Sequence, residues 1–173
     1  DRERDLRRRA AAFLATNDNV AAAVEQYLEL ADAAGVVRMV VEHGRLFYER
    51  NESATLVRWL RSAEAVATAP APELGIHLLA AEIAALDSMA AAATYQRVLR
   101  RGGMSDGEQA TAHALYSLLG LDDLPPYEIE QASSDGLEFA QTADDRDLVD
   151  LIGAGGPSTV EFFLRFMPGV AAF

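Results

Sequence analysis

Apolar residues recur every three or four positions along almost the whole chain, and they scarcely alternate anywhere. That spacing lays them in stripes on helices and leaves no half-buried strand pattern to read. Leu6, Ala10, Phe13 and Leu14 give one stripe, and Val20, Val24, Tyr27, Leu28 and Ala31 the next. Val37, Val40, Val41, Leu46 and Phe47 give a third. Leu56, Trp59 and Leu60 follow, then Leu78, Leu79, Ala81, Ile83 and Ala84, then Tyr95, Val98 and Leu99. Polar punctuation separates them. "NDN" at 17–19 and "NES" at 51–53 read as cap-like turns, "APAPE" at 69–73 puts prolines ahead of a helix, and "RGG" at 101–103 ends one. Ser105–Glu108 and Ser158–Glu161 have the spacing of a capping box, and "DDLPPYE" at 122–128 reads as a loop. The sequence predicts about nine or ten helices and no strand.

The stripes also repeat. Ala23-x-x-x-Tyr27 returns as Ala91 to Tyr95, 68 residues on, with Leu56 to Leu60 near the midpoint. One helix earlier in each pair, Ala11, Gly44, Leu79 and His113 follow at spacings of 33, 35 and 34. The intervening turns fall at Asp18, Asn51, Leu86–Asp87 and Gly120. A small residue lets two helices approach, and a large one a turn later fills the space against the next pair. The period is that of the tetratricopeptide repeat. The expected fold is therefore all-α, a right-handed array of antiparallel helical hairpins forming a tetratricopeptide-like superhelix. It covers residues 1–173 as one domain, with repeats near 1–33, 34–68, 69–103 and 104–141 and a partial one at 142–173. Leu79 stands where such repeats usually place glycine, and the fourth repeat has a lengthened loop at 121–126.

Composition excludes several functions. The chain has no cysteine, so disulfides, thiolate metal sites and cysteine nucleophiles are ruled out. All fifteen basic residues are arginine, so a Walker A loop, which needs lysine, is ruled out too. Residues 1–103 carry 13 Arg against 14 acids, whereas residues 104–173 carry 2 Arg against 13. A field that negative repels nucleic acid and anionic membrane, so direct contact with either is not expected. No apolar run is long enough for a membrane span, and the charged "DRERDLRRR" start lacks the apolar stretch of a signal peptide. A cytoplasmic protein is expected, and the start at Asp1 suggests a piece of a larger chain.

"LRRRAAAFLATNDNVAAAVEQYLELAD" followed by "VVEHGRLFYERNESATLVRWLRS" resembles a segment of large LuxR-type, maltose-activator-like transcription regulators. The matching residues are Leu6, Arg8, Arg9 and Ala10; Asn17; Ala23 and Tyr27; His43 and Gly44; and Thr55, Leu56, Trp59 and Leu60. "PELGIHLLAAEIAALDSMAAAATYQRVL" is similar to the helical repeats that follow in that family. The resemblance spans residues 5–101 and fades from 104 on. It implies an upstream nucleotide-binding switch, this helical array as arm or sensor, and a distant helix-turn-helix that reads DNA. Neither flanking domain lies in this chain. The implied role is non-enzymatic: relay or sensing through helix packing, with a protein or peptide partner or neighbouring domains, and a dimer is compatible. A free-standing peptide-binding adaptor is the alternative.

Searches for chemistry give little. "GAGG" at 153–156 lacks the G-x-G-x-x-G spacing and reads as a stop between helices. Asp144, Asp145, Asp147 and Asp150 could gather oxygens for a divalent cation, yet first-turn acids equally complement a helix dipole. His43, His77 and His113 form no metal-binding pair, and Glu73 with His77 reads as a surface hydrogen bond on one helix. Trp59 reads as core rather than as a partner anchor. No catalytic residue, cofactor or metal ligand is therefore expected. Two surfaces remain as candidates. Arg8, Arg45, Tyr48 and Glu49 would face the concave side of an array, and Phe162, Phe163, Phe166 and Met167 would form an apolar face for the next repeat or a second copy.

Overall fold

The computed structural model describes residues 2–68, 71–119 and 125–143. Among them are eight α-helices and no strand. They are α1 (Arg2–Thr16), α2 (Val20–Glu29), α3 (Ala33–Glu49), α4 (Ser53–Val66), α5 (Pro72–Ala84), α6 (Ser88–Arg101), α7 (Asp106–Leu119) and α8 (Pro126–Thr142). Outside the described residues lie the turn expected at Gly120, the acids at 144–150, the "GAGG" stretch, the Ser158–Glu161 box and the face of Phe162, Phe163, Phe166 and Met167.

Four connections share one geometry. Asp18, Ala31, Asn51 and Leu86 take left-handed backbone angles, with φ of 57, 53, 59 and 59°. The N–H of the following residue reaches the carbonyl five residues back: Asn19 to Leu14 at 2.9 Å, Asp32 to Tyr27 at 2.9 Å, Glu52 to Phe47 at 2.7 Å and Asp87 to Glu82 at 3.0 Å. The left-handed residue's own N–H bonds three back, at 2.9–3.2 Å. This is the Schellman closure, which satisfies the last carbonyls of a helix while reversing the chain. Three of these turns fall where the repeat spacing puts them. Their chemistry differs from the expectation, however. "NDN" and "NES" act as C-terminal closures of α1 and α3, and neither Asn19 nor Glu52 caps the next helix through its side chain. The side-chain caps are Asp32, which accepts from the Gly35 N–H at 2.9 Å, and Asp87, which accepts from Ala90 at 3.2 Å.

Other signals hold as read. Gly102 and Gly103, with φ of 66 and 78°, end α6. Pro72 starts α5. The Ser105 N–H donates to Glu108 at 2.8 Å and the Glu108 N–H to Ser105 Oγ at 3.2 Å, a complete capping box on α7.

Each helix packs on the next in sequence, and α2 also meets α4, α3 meets α5, and α5 meets α7. The repeated positions are interior ones. Ala23, Tyr27, Leu56, Leu60, Ala91 and Tyr95 are buried, as are Ala11, Gly44, Leu79 and His113. Two larger cores result. The first joins α1–α4 to the Leu74, Leu78 and Ala81 face of α5, and the second joins the Ile76 and Leu79 face of α5 to α6–α8. The α5 sequence is apolar almost all round because it serves both.

The α1 stripe is a correction. Leu6 and Phe13 are 49% and 67% exposed, Ala10 is exposed as well, and the buried residue is Ala11. Leu46 and Ala31, read as core, are exposed too.

Candidate functional site

A cleft opens between α6, α7 and α8. It is a broad, open depression of about 820 Å³ lined by Tyr95 and Gln96 of α6, Tyr116 of α7, and Tyr127, Glu128, Glu130, Gln131, Ala132, Ser134 and Asp135 of α8. Local sequence builds it simply. Tyr95 is the large member of the repeated small–large pair, and it stacks on Tyr116 with centroids 3.8 Å apart and planes 6° from parallel. Pro126 starts α8 and sets Tyr127 and Glu128 in its first turn. Glu128, Gln131 and Asp135 then follow at helical spacing along one side.

Glu128 is the polar centre of this cleft. Tyr116 donates to one of its carboxylate oxygens at 3.2 Å and Tyr127 to the other at 3.2 Å. Burial pushes the Tyr116 phenol up to about 12, with the Glu128 hydrogen bond adding to it. The Tyr127 phenol is raised as well, chiefly by its bond to Glu128. Behind the stack, the Tyr95 hydroxyl lies 2.9 Å from His113 Nδ1, and His113 stacks on Phe139. Burial raises the Tyr95 phenol, while burial lowers His113, opposed by the Asp135 charge. Gln131 donates to Asp135 at 2.7 Å. At neutral pH the phenols stay protonated. The cleft thus presents the exposed Tyr127 ring with amides and carboxylates, while the Tyr95 and Tyr116 rings are buried against each other beneath it.

The sequence-level candidates lie elsewhere. Arg45 and Glu49 form an i,i+4 ion pair at 2.8 Å on α3, and Tyr48 beside them is half-buried against the first core. Burial pushes the Tyr48 phenol up to about 12. Arg8 is exposed on α1, a pair away. Trp59 is buried edge-to-face against Phe47, centroids 5.0 Å apart. His43 is half-buried, 3.8 Å from the Glu42 carboxylate. His77 corrects the surface reading: it is 1% exposed, with Glu73 3.9 Å away at the rim. A second, smaller groove of about 350 Å³ runs between α3 and α5, lined by Val37, Val41 and Leu74 with Arg38, Glu42 and Glu73 at its edge. Among the described residues no group of three or more His, Asp or Glu could hold a metal ion, and no helix is long and apolar enough to cross a membrane.

Sequence reasoning did not find the tyrosine cleft. Its lining residues are ordinary one by one, and only the successive packing of α6 on α7 and α7 on α8 gathers them. Two traces were present: "PPYEIEQ" puts an aromatic beside acids, and residues 102–143 contain no arginine. Set against protein families, curated proteins and solved structures, the chain matches none of them.

Proposed function

We propose that this chain is a non-enzymatic, tetratricopeptide-like segment of a cytoplasmic transcription regulator of the LuxR-type, maltose-activator-like class. In this reading its hairpins wind into a right-handed superhelix, and it passes a signal between neighbouring domains, or from a protein or peptide partner, through helix packing. The observation that carries it is the repeated closure at Asp18, Asn51 and Leu86, joined to the buried small–large pairs Ala23/Tyr27 and Ala91/Tyr95. Units that stack only on their neighbours form extended surfaces suited to binding and to relaying small shifts along the stack. The resemblance over residues 5–101 supplies the regulatory context.

The parent reading frame tests it. A nucleotide-binding switch upstream and a helix-turn-helix downstream are expected, and a parent with neither overturns the regulator reading. The tyrosine cleft favours a second reading, a free-standing peptide-binding adaptor. In that case a defined partner would be retained by the isolated protein without any nucleotide.

A further inference from the structure

We propose that the outer face of α1 is an association surface for the C-terminal end of a second copy of this chain. Copies then stack head to tail, as the hairpins inside each copy do. This rests on the reading of the chain as a stack of hairpins, and it names one occupant for the exposed stripe of α1.

Register identifies the face. In α5, Leu74, Leu78 and Ala81 stand twelve, eight and five residues before the left-handed residue Leu86. They are buried in the first core, on the side where α5 meets the preceding pair α3–α4. The same three steps back from the left-handed Asp18 reach Leu6, Ala10 and Phe13. The exposed stripe of α1 is thus the counterpart of the face with which α5 meets the pair before it. In α3 the same places hold Met39, His43 and Leu46, which are buried, half-buried and exposed. The Leu6 place is interior in both α3 and α5, and the Phe13 place in α5. Among the described residues α1 packs on α2, and Leu6 and Phe13 stay 49% and 67% exposed. A helix with an interior face and no pair in front of it is complementary to the trailing end of such a stack.

Charge selects the occupant. α1 carries five arginines against Glu3 and Asp5, and Arg2 and Arg9 flank Leu6 at helical spacing. Residues 104–173 carry 2 Arg against 13 acids. Within them Phe162, Phe163, Phe166 and Met167 recur at helical spacing, beside Glu161 and Arg165. One end of the chain is basic and apolar and the other acidic and apolar, so unlike ends attract and like ends repel. A contact between unlike surfaces that repeats the stacking step inside the chain does not close at two copies and continues to larger assemblies.

The test is sedimentation velocity of the whole chain over a wide concentration range, at low salt and again at about 0.5 M salt. The sedimentation coefficient should rise past that of a dimer with concentration, and less steeply at high salt. Leu6→Ser/Phe13→Ser and Phe162→Ser/Phe166→Ser should each weaken association at least about tenfold. Mixed in equal amounts, the two variants should form a dimer and nothing larger, because each keeps one intact surface. Arg2→Glu/Arg9→Glu keeps the apolar residues and should weaken association about twofold to tenfold. Circular dichroism shows that each variant keeps its helices, and the arginine variant, altered only at exposed positions, decides the matter where a serine variant does not. A monomer at every concentration would overturn the proposal, as would assembly of the natural chain that stops at the dimer. Association that survives in the Phe162→Ser/Phe166→Ser variant would mean that α1 meets α1, and would also overturn it. The product of the complete reading frame gives the remaining outcome. A monomer there, with Leu6→Ser/Phe13→Ser lowering its melting temperature, would put a preceding segment of the parent on the face and overturn the second-copy assignment. Absence of self-association leaves the relay reading standing, and a parent lacking regulatory domains leaves the stacking face standing.

Discussion

Leu86 holds a backbone angle that suits glycine, at φ 59°, while its side chain is 89% exposed. A Cβ-bearing residue in that region costs about 1–3 kcal/mol, and glycine gives back about 0.4–1 kcal/mol in unfolded-chain entropy. Leu86→Gly is therefore expected to stabilise the fold by about 0.5–1 kcal/mol, read as a higher urea midpoint at unchanged slope. His113 gives a second residue-scale prediction. Burial lowers its pKa in the folded state below the ordinary 6.5, so the unfolded chain binds the proton more tightly. Its contribution is complete above pH 6.5 and is lost as pH falls from there toward the folded value. Urea midpoints should drop between pH 7 and 5 in the natural chain, and His113→Gln should flatten that slope. At this scale the sequence was only partly legible. His113 was recognisable as a packing position from its repeat register. Glu82 was not: it is a buried acid within the apolar "LLAAEIAALD" stretch, and its partner Arg61 lies 21 residues earlier on another helix. Periodicity identifies which residues face inward, but not which charge meets them there.

Helix by helix, the close approach of α2 and α3 depends on one glycine. A Cβ at Gly35 would press into the Tyr27 ring, 2.7 Å from its Cγ. That ring has little room to give, since Tyr27 is 6% exposed and Arg38 lies over it, 5.6 Å from the centroid. Overpacking of this kind costs about 1–3 kcal/mol, against roughly 1 kcal/mol of helix propensity gained on replacing glycine. Gly35→Ala should thus destabilise by about 1–2 kcal/mol in chemical denaturation, although alanine is the better helix former. Turn positions were the most readable elements, because Asp18, Asn51 and Leu86 recur at 33 and 35 residues. The face of α1 was the least. Leu6, Ala10 and Phe13 make a proper apolar stripe, yet the structure leaves them exposed. A stripe shows which side of a helix is apolar, and the presence of a partner for it is decided by the rest of the chain. The tyrosine cleft was hidden for a related reason, being shared by three helices whose separate patterns read as ordinary core and surface.

For the whole molecule, the two main cores meet at α5. Arrays of repeats can unfold piecemeal, but a helix buried on both sides couples its neighbours. The single tryptophan, Trp59, is 4% exposed in the first core and reports on that side, whereas far-ultraviolet circular dichroism sums all the helices. The two signals should give one coincident urea transition, and separate midpoints would show that the halves melt independently. The arrangement has a mechanical consequence as well. Leu74, Leu78 and Ala81 mesh with one set of helices while Ile76 and Leu79 mesh with the other, so α5 is an axle with teeth on two sides. A shift of α5 against one set of helices is expected to disturb its packing on the other. A small twist imposed at the α1–α4 end would then be delivered, geared through thirteen residues, to the floor of the tyrosine cleft.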